Sequence, residues 1–172
     1  MASRLLAVLA LLVAAPFVRA ETLDLTDVKT EGAATVLITR FFENIGLDVF
    51  GKREKQFGLK FGGYNIGVTP VISLDNGTRL NAYITYDGGA PANLKNEKLL
   101  AVINEINRRF NYVSAYVDND GDINFRYVLV FDKKLEPKVV HRWLKHIEVQ
   151  SDAILNEFGD QLKPFLAKKT EK

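Results

Sequence analysis

The 172-residue sequence contains no cysteine. That excludes a disulfide framework, thiol catalysis and any Cys-ligated metal site. Histidine is nearly absent, with only His141 and His146. On a helix these two stand about 140° apart around the axis. Metal-binding pairs are spaced by four residues rather than five, so both are expected to face solvent and no metal site is expected. Beyond the first twenty residues, serine occurs only as Ser73, Ser114 and Ser151, and none lies in a Gly-x-Ser-x-Gly elbow. Gly62-Gly63 and Gly88-Gly89 lack the spacing and the following helix start of a phosphate loop. The apolar run Leu5–Ala15 has 11 residues, short of the ~20 needed to cross a bilayer. What remains is 47% apolar and 26% charged, the balance of an ordinary folded domain.

Arg4 precedes that apolar run, Pro16 ends it, and Val18-Arg19-Ala20 offers small residues at peptidase positions. This is the order of a secretory signal. Residues 1–20 are therefore expected to be cleaved after Ala20, leaving a mature chain in the bacterial periplasm or secreted, with no stable membrane insertion. The signal carries Arg4 and Arg19 and no acid, so 23 basic residues become 21, against 21 acidic ones. A formally neutral chain argues against nucleic acid or an anionic membrane as main partner, because both select a positive field.

The mature chain reads as helix, strands, helix, hairpin, helix. Ala34, Leu37, Ile38, Phe41 and Ile45 follow the spacing of a helix face, with Gly46 as the left-handed stop and Thr26, Asp27 or Thr30 as cap. A short strand at Leu47–Phe50 is followed by the alternation of Phe57, Leu59 and Phe61 and the turn Gly62-Gly63. Pro70 marks an edge or a bulge. Asp75-Asn76-Gly77 is a hairpin signal, and Leu80, Ala82, Ile84 and Tyr86 alternate on the return. Asn76-Gly77-Thr78 also matches a glycosylation acceptor, but the turn explains it. Leu99, Val102, Ile103, Ile106 and Phe110 stripe a second helix over Lys95–Arg109, capped by Asn93 or Asn96. Tyr112–Val117 pairs with Ile123–Phe131 across an acidic turn, and Asp132–Glu136 connects to a third helix that Pro137 opens. The expectation is one α+β domain over residues 21–163, an antiparallel β-sheet packed by three α-helices, with 164–172 as a flexible tail.

Two clusters invite a functional reading. Asp118, Asp120 and Asp122 surround Gly121. A calcium loop of the EF-hand kind needs glycine at its sixth position, a Glu at its twelfth and helical flanks, and here both flanks are strands, so a hairpin turn is preferred. Asn104 and Asn107 lie three apart, on one side of the second helix. Interior asparagine is a poor helix former, and amides pinning the neighbouring strand ends are the preferred explanation over a ligand site. No catalytic residue and no cofactor follow from these patterns.

The stretch Ile103-Asn104-Glu105-Ile106-Asn107-Arg108-Arg109-Phe110, followed by Ala115-Tyr116-Val117-Asp118-Asn119-Asp120-Gly121-Asp122-Ile123, resembles the YbjN-like family of bacterial proteins. The resemblance implies a fold like that of the type III secretion chaperones, often paired as dimers, a sensory-transduction regulator label, and no enzymatic activity. A small exported binding protein with a chaperone-like or adaptor role toward a protein or peptide partner is the leading expectation. Two alternatives remain: a small-molecule carrier using some of the eleven Phe and six Tyr, and a weak acid–base hydrolase built on Asp118, Asp120 and Asp122.

Overall fold

The computed structural model describes residues 21–73 and 77–167. The proposed signal and the Asp75-Asn76 half of the hairpin turn lie outside the described residues. The elements in chain order are β1 (Leu23–Asp24), α1 (Glu31–Asn44), β2 (Asp48–Phe50), β3 (Phe57–Phe61), β4 (Tyr64–Ser73), β5 (Gly77–Tyr86), α2 (Glu97–Arg109), β6 (Ser114–Val117), β7 (Ile123–Phe131), β8 (Lys134–Leu135) and α3 (Pro137–Leu162). Short 3₁₀ turns at Pro91–Lys95 and Lys163–Phe165 precede α2 and follow α3. The main sheet is antiparallel throughout, in the order β2-β3-β4-β5-β7-β6. This is the α+β architecture expected from the hairpin links.

Local chemistry sets the helix ends. Thr30 accepts the Ala33 N–H on its hydroxyl (3.3 Å) and opens α1, while Gly46, at φ +84°, turns the chain away after it. Asn96, not Asn93, caps α2, accepting from the Lys98 and Leu99 amides at 3.1 and 3.2 Å. Pro137 sits at the start of α3, where its missing N–H costs nothing.

The helices cover one face of the sheet. Ala34, Ile38, Phe41 and Phe42 of α1, Leu99, Ile103 and Ile106 of α2, and Val140, Trp143, Leu144, Ile147, Ile154 and Phe158 of α3 are buried against it. The sheet answers with Leu59, Val68, Leu80, Ala82, Phe125 and Tyr127, each fully buried side chain of this size stabilising by about 1.5–3 kcal/mol. Phe42 and Phe57 meet edge to face at 5.4 Å. Leu37, expected on the α1 stripe, is 36% exposed and Phe42 takes the buried position instead. The 3-and-4 spacing tolerates that rotation of the face.

Three expectations are corrected by the structure. The Asp132–Glu136 connector is more than a link, because its Lys134 and Leu135 pair with Asp24 and Leu23 in a separate two-stranded ribbon. The strand expected from Tyr112 starts at Ser114, and Tyr112 is turned out to 70% exposure. Residues 164–167 are not a loose tail: Phe165 and Leu166 pack on the core, and the Ala167 N–H donates to the Asp87 carbonyl (2.8 Å).

Candidate functional site: a free sheet edge beside an apolar groove

The acidic turn is a closed structure of its own. Asp118 Oδ1 accepts from the Asp120 and Asp122 amides, both at 3.0 Å, and Oδ2 accepts from Asn124 Nδ2 at 2.8 Å. Asp122 Oδ1 accepts the Gly88 amide (2.9 Å), so the turn is tied to the loop after β5. Gly121 takes φ +88°, and a Cβ there would collide with the Ala90 carbonyl. Of the three aspartates of the turn, Asp120 alone has a carboxylate that accepts no hydrogen bond from the described residues. Nowhere among these residues do three His, Cys, Asp or Glu side chains come together as metal ligands.

The two asparagines separate. Asn107 clasps β6, its Nδ2 donating to the Ala115 carbonyl (2.9 Å) and its Oδ1 accepting the Ala115 amide (2.8 Å). Asn104 is exposed on α2 and makes no such bond. A residue that the sequence left as a cap alternative does more. Asn93, 8% exposed, donates through Nδ2 toward the carbonyls of Gly88 (2.7 Å), Gly121 (3.2 Å) and Phe165 (2.9 Å). It joins the loop after β5, the acidic turn and the end of the chain's folded part. A buried Asn just outside a helix carries no periodic signal that would single it out.

Among the described residues, part of β7 has a strand partner on one side only. All nine of its residues pair with β5 on one side, yet on the other β6 reaches only Ile123–Arg126. Tyr127–Phe131 therefore keeps a flank with no strand partner, and its five residues are Tyr, Val, Leu, Val and Phe. Other edges are blunted. β2 has three residues and β6 four, and the flank of β4 beyond its pairing with β3, Thr69–Ser73, contains Pro70, which cannot donate. Pro70 does mark an edge, as its sequence implied, but one closed to strand addition at that position.

Next to the free flank, between β7 and α3, runs a groove of about 430 Å³, lined by Tyr112, Leu129, Val139, Arg142, Trp143 and His146 among others. Val128 and Val130 beside it are 44% and 66% exposed. His146, expected to face solvent, instead stands edge-on to Tyr112 at 5.0 Å, and its Nε2 is buried without a partner. The Trp143 Nε1–H is also buried and unpaired. An orphaned polar atom of this kind costs about 1–3 kcal/mol. Arg142 is the one Lys or Arg lining the groove, and it has no ion pair among the described residues, whereas Lys138 and Lys145 nearby pair with Glu136 and Glu148.

An antiparallel sheet backed on one face by helices makes this a domain of the α+β class. A family model described as "Putative bacterial sensory transduction regulator" matches residues 36–160. The chain belongs to this family, YbjN. Among solved structures it is similar to YbjN from E. coli, at 14% identity and TM-score 0.54, over 76% of this chain and 93% of that one. It is also similar to an uncharacterized protein from Methanothermobacter thermautotrophicus, at 13% identity and TM-score 0.49, over 77% and 99%. No curated protein matches the chain.

Proposed function

We propose that this protein is an exported, non-enzymatic binding protein of the bacterial periplasm, with a chaperone-like or adaptor role in regulation. It captures an extended segment of a protein partner as an added strand on β7. The observation that carries this reading is the unpaired, wholly apolar flank Tyr127–Phe131 lying beside a groove. Strand addition supplies main-chain hydrogen bonds, while pockets for alternate side chains supply selectivity. Arg142 beside the groove favours a segment in which acidic residues alternate with apolar ones. Export rests on the order of Arg4, the apolar run and Val18-Arg19-Ala20. An acid–base role for the aspartates is disfavoured, because Asp118 and Asp122 already spend their carboxylates on the turn.

The test is titration of the full chain with a synthetic decapeptide alternating valine and glutamate. Saturable binding is expected, weakened about tenfold, or roughly 1.4 kcal/mol, by Arg142→Glu, an exposed site whose change leaves the fold intact. Binding indifferent to Arg142→Glu and to Tyr112→Ala would reject the site. For the address, intact mass of the protein recovered from the cell envelope should correspond to a chain beginning at Glu21; a retained leader contradicts cleavage after Ala20.

A further inference from the structure

The face of the sheet turned away from the helices carries a second recess, of about 670 Å³, that the strand-capture reading does not use. Its floor follows from the register. One cross-strand row runs Phe50, Gly58, Gly67, Tyr83, Arg126, Ser114 from β2 to β6. Two adjacent glycines in the middle of a sheet are costly, since each weakens its strand by roughly 0.5–1 kcal/mol relative to alanine. Gly58 has a packing reason: the Phe50 ring lies over it, and a Cβ would stand 2.6 Å from the ring carbons. Gly67 has none. Its φ is not positive, and the nearest atom to an added Cβ is the Tyr83 carbonyl oxygen at 3.9 Å. A strand glycine with open space above it marks a place where something else approaches the backbone.

The walls say what that something is. The Phe50 ring, 41% exposed, reaches from β2 over Gly58 of β3, and Tyr83 stands on β5. The ring and Tyr83 thus flank Gly67 from the strands on either side, and Gly58 and Tyr83 are about 10 Å apart at two strand spacings. That width admits a flat group between them. Asn65, Thr69, Gln56 and Thr85 add amide and hydroxyl groups, and Arg53 is the one charged residue lining the recess. Arg53 has no ion pair among the described residues, in contrast to Lys52 and Lys55 on either side of it, which pair with Glu43 and Glu31. Lys60, whose Nζ lies 6.0 Å from the Phe50 ring centroid, and Arg126 add positive charge on the same face, and no carboxylate lines the recess. The volume falls in the range of small-ligand sites, about 300–1,000 Å³.

We infer that this recess binds a small organic anion with a planar apolar body. The flat part lies over Gly67 between Phe50 and Tyr83, and the carboxylate or phosphate meets Arg53. The site is on the opposite face of the sheet from the α3 groove and stands independently of strand capture.

The experiment is an amide-resolved NMR titration of the full chain with benzoate, phenyl phosphate and indole-3-acetate, each against an uncharged analogue such as indole-3-acetamide. At least one of the three anions should give saturable shifts centred on Gly58, Gly67 and Tyr83, with a Kd of about 1 mM or tighter. Arg53→Gln should weaken the anion at least tenfold and leave the uncharged analogue unchanged. Gly67→Leu fills open space, so it should abolish binding without lowering Tm. The inference is overturned if none of the anions shifts these residues, if the analogue binds as well as the anion, or if Gly67→Leu folds and still binds. Shifts that grow with protein concentration instead of ligand would assign the face to a second copy of the chain and also overturn it.

Discussion

Single side chains hold the acidic turn, and they do so unequally. Asp118 accepts three N–H donors while Asp120 accepts none. Asp118→Ala should therefore lower stability by about 2–3 kcal/mol, as loss of hydrogen bonds to a charged acceptor does. Asp120→Ala should stay within about 0.5 kcal/mol of the parent. Urea unfolding of both variants checks the contrast; equal effects would restore a shared role for the acids. Asn93→Ala should be at least as damaging as Asp118→Ala, because three carbonyls from distant segments lose one buried donor group. Tyr127 offers a pH signature. Its hydroxyl is bonded to Ser151 Oγ at 2.8 Å under α3, and burial pushes its pKa up to about 12. In the unfolded chain a tyrosine ionises near 10. Below pH 10 both states are protonated and the stabilisation is full. Between about 10 and 12 the unfolded chain releases its proton first, and stability falls. Tyr86, raised in the same direction by burial, adds to the loss. The alkaline fall should be shallower in Tyr127→Phe, read by thermal melts from pH 8 to 12.

The elements differ in how plainly the sequence announced them. α2 and α3 were legible because their apolar stripes persist over several turns and their starts carry Asn96 and Pro137. The β3–β4 turn was legible because Gly62 and Gly63 both adopt positive φ. The β1–β8 ribbon was not, since strands of two residues have no period to detect. The free edge was hidden for a different reason. Tyr127–Phe131 is a continuous apolar run, the pattern of a strand buried on both faces, yet Val128 and Val130 face solvent. Only the register, with β6 reaching no further than Arg126, shows that five residues of β7 lack a strand neighbour on one side. The acidic turn and the Asn107 clasp were within reach of sequence reasoning because both act on neighbouring segments. The Asn93 junction joins residues 72 positions apart and was beyond that reach. At this scale, Val130→Lys should suppress any self-association through the β7 edge, because a charge on an edge strand blocks strand-to-strand pairing. Sedimentation velocity of parent and variant at matched concentrations measures it, and unchanged association would place any dimer contact elsewhere.

For the whole molecule, the helices cover one face of the sheet and leave the other open, so two chemically distinct surfaces result. The edge of β7, with Arg142 beside it, suits an extended segment that carries acidic side chains. The open face, floored by Gly58 and Gly67, suits a small anion. Among the described residues no helix is long and apolar enough to cross a membrane. With the proposed leader removed the chain is formally neutral, at 21 basic and 21 acidic residues, so the charge that matters is local. Salt should accordingly weaken decapeptide binding only modestly, because few charges are neutralised and surface pairs are screened within about 10 Å at 0.1 M.

Amide hydrogen exchange across Tyr127–Phe131, with and without the decapeptide, tests strand capture most directly. Amides on the unpaired flank should exchange freely in the unbound chain and become protected on binding, in the alternating pattern of a new antiparallel or parallel neighbour. Protection that arises elsewhere while these five residues remain unchanged would contradict the account.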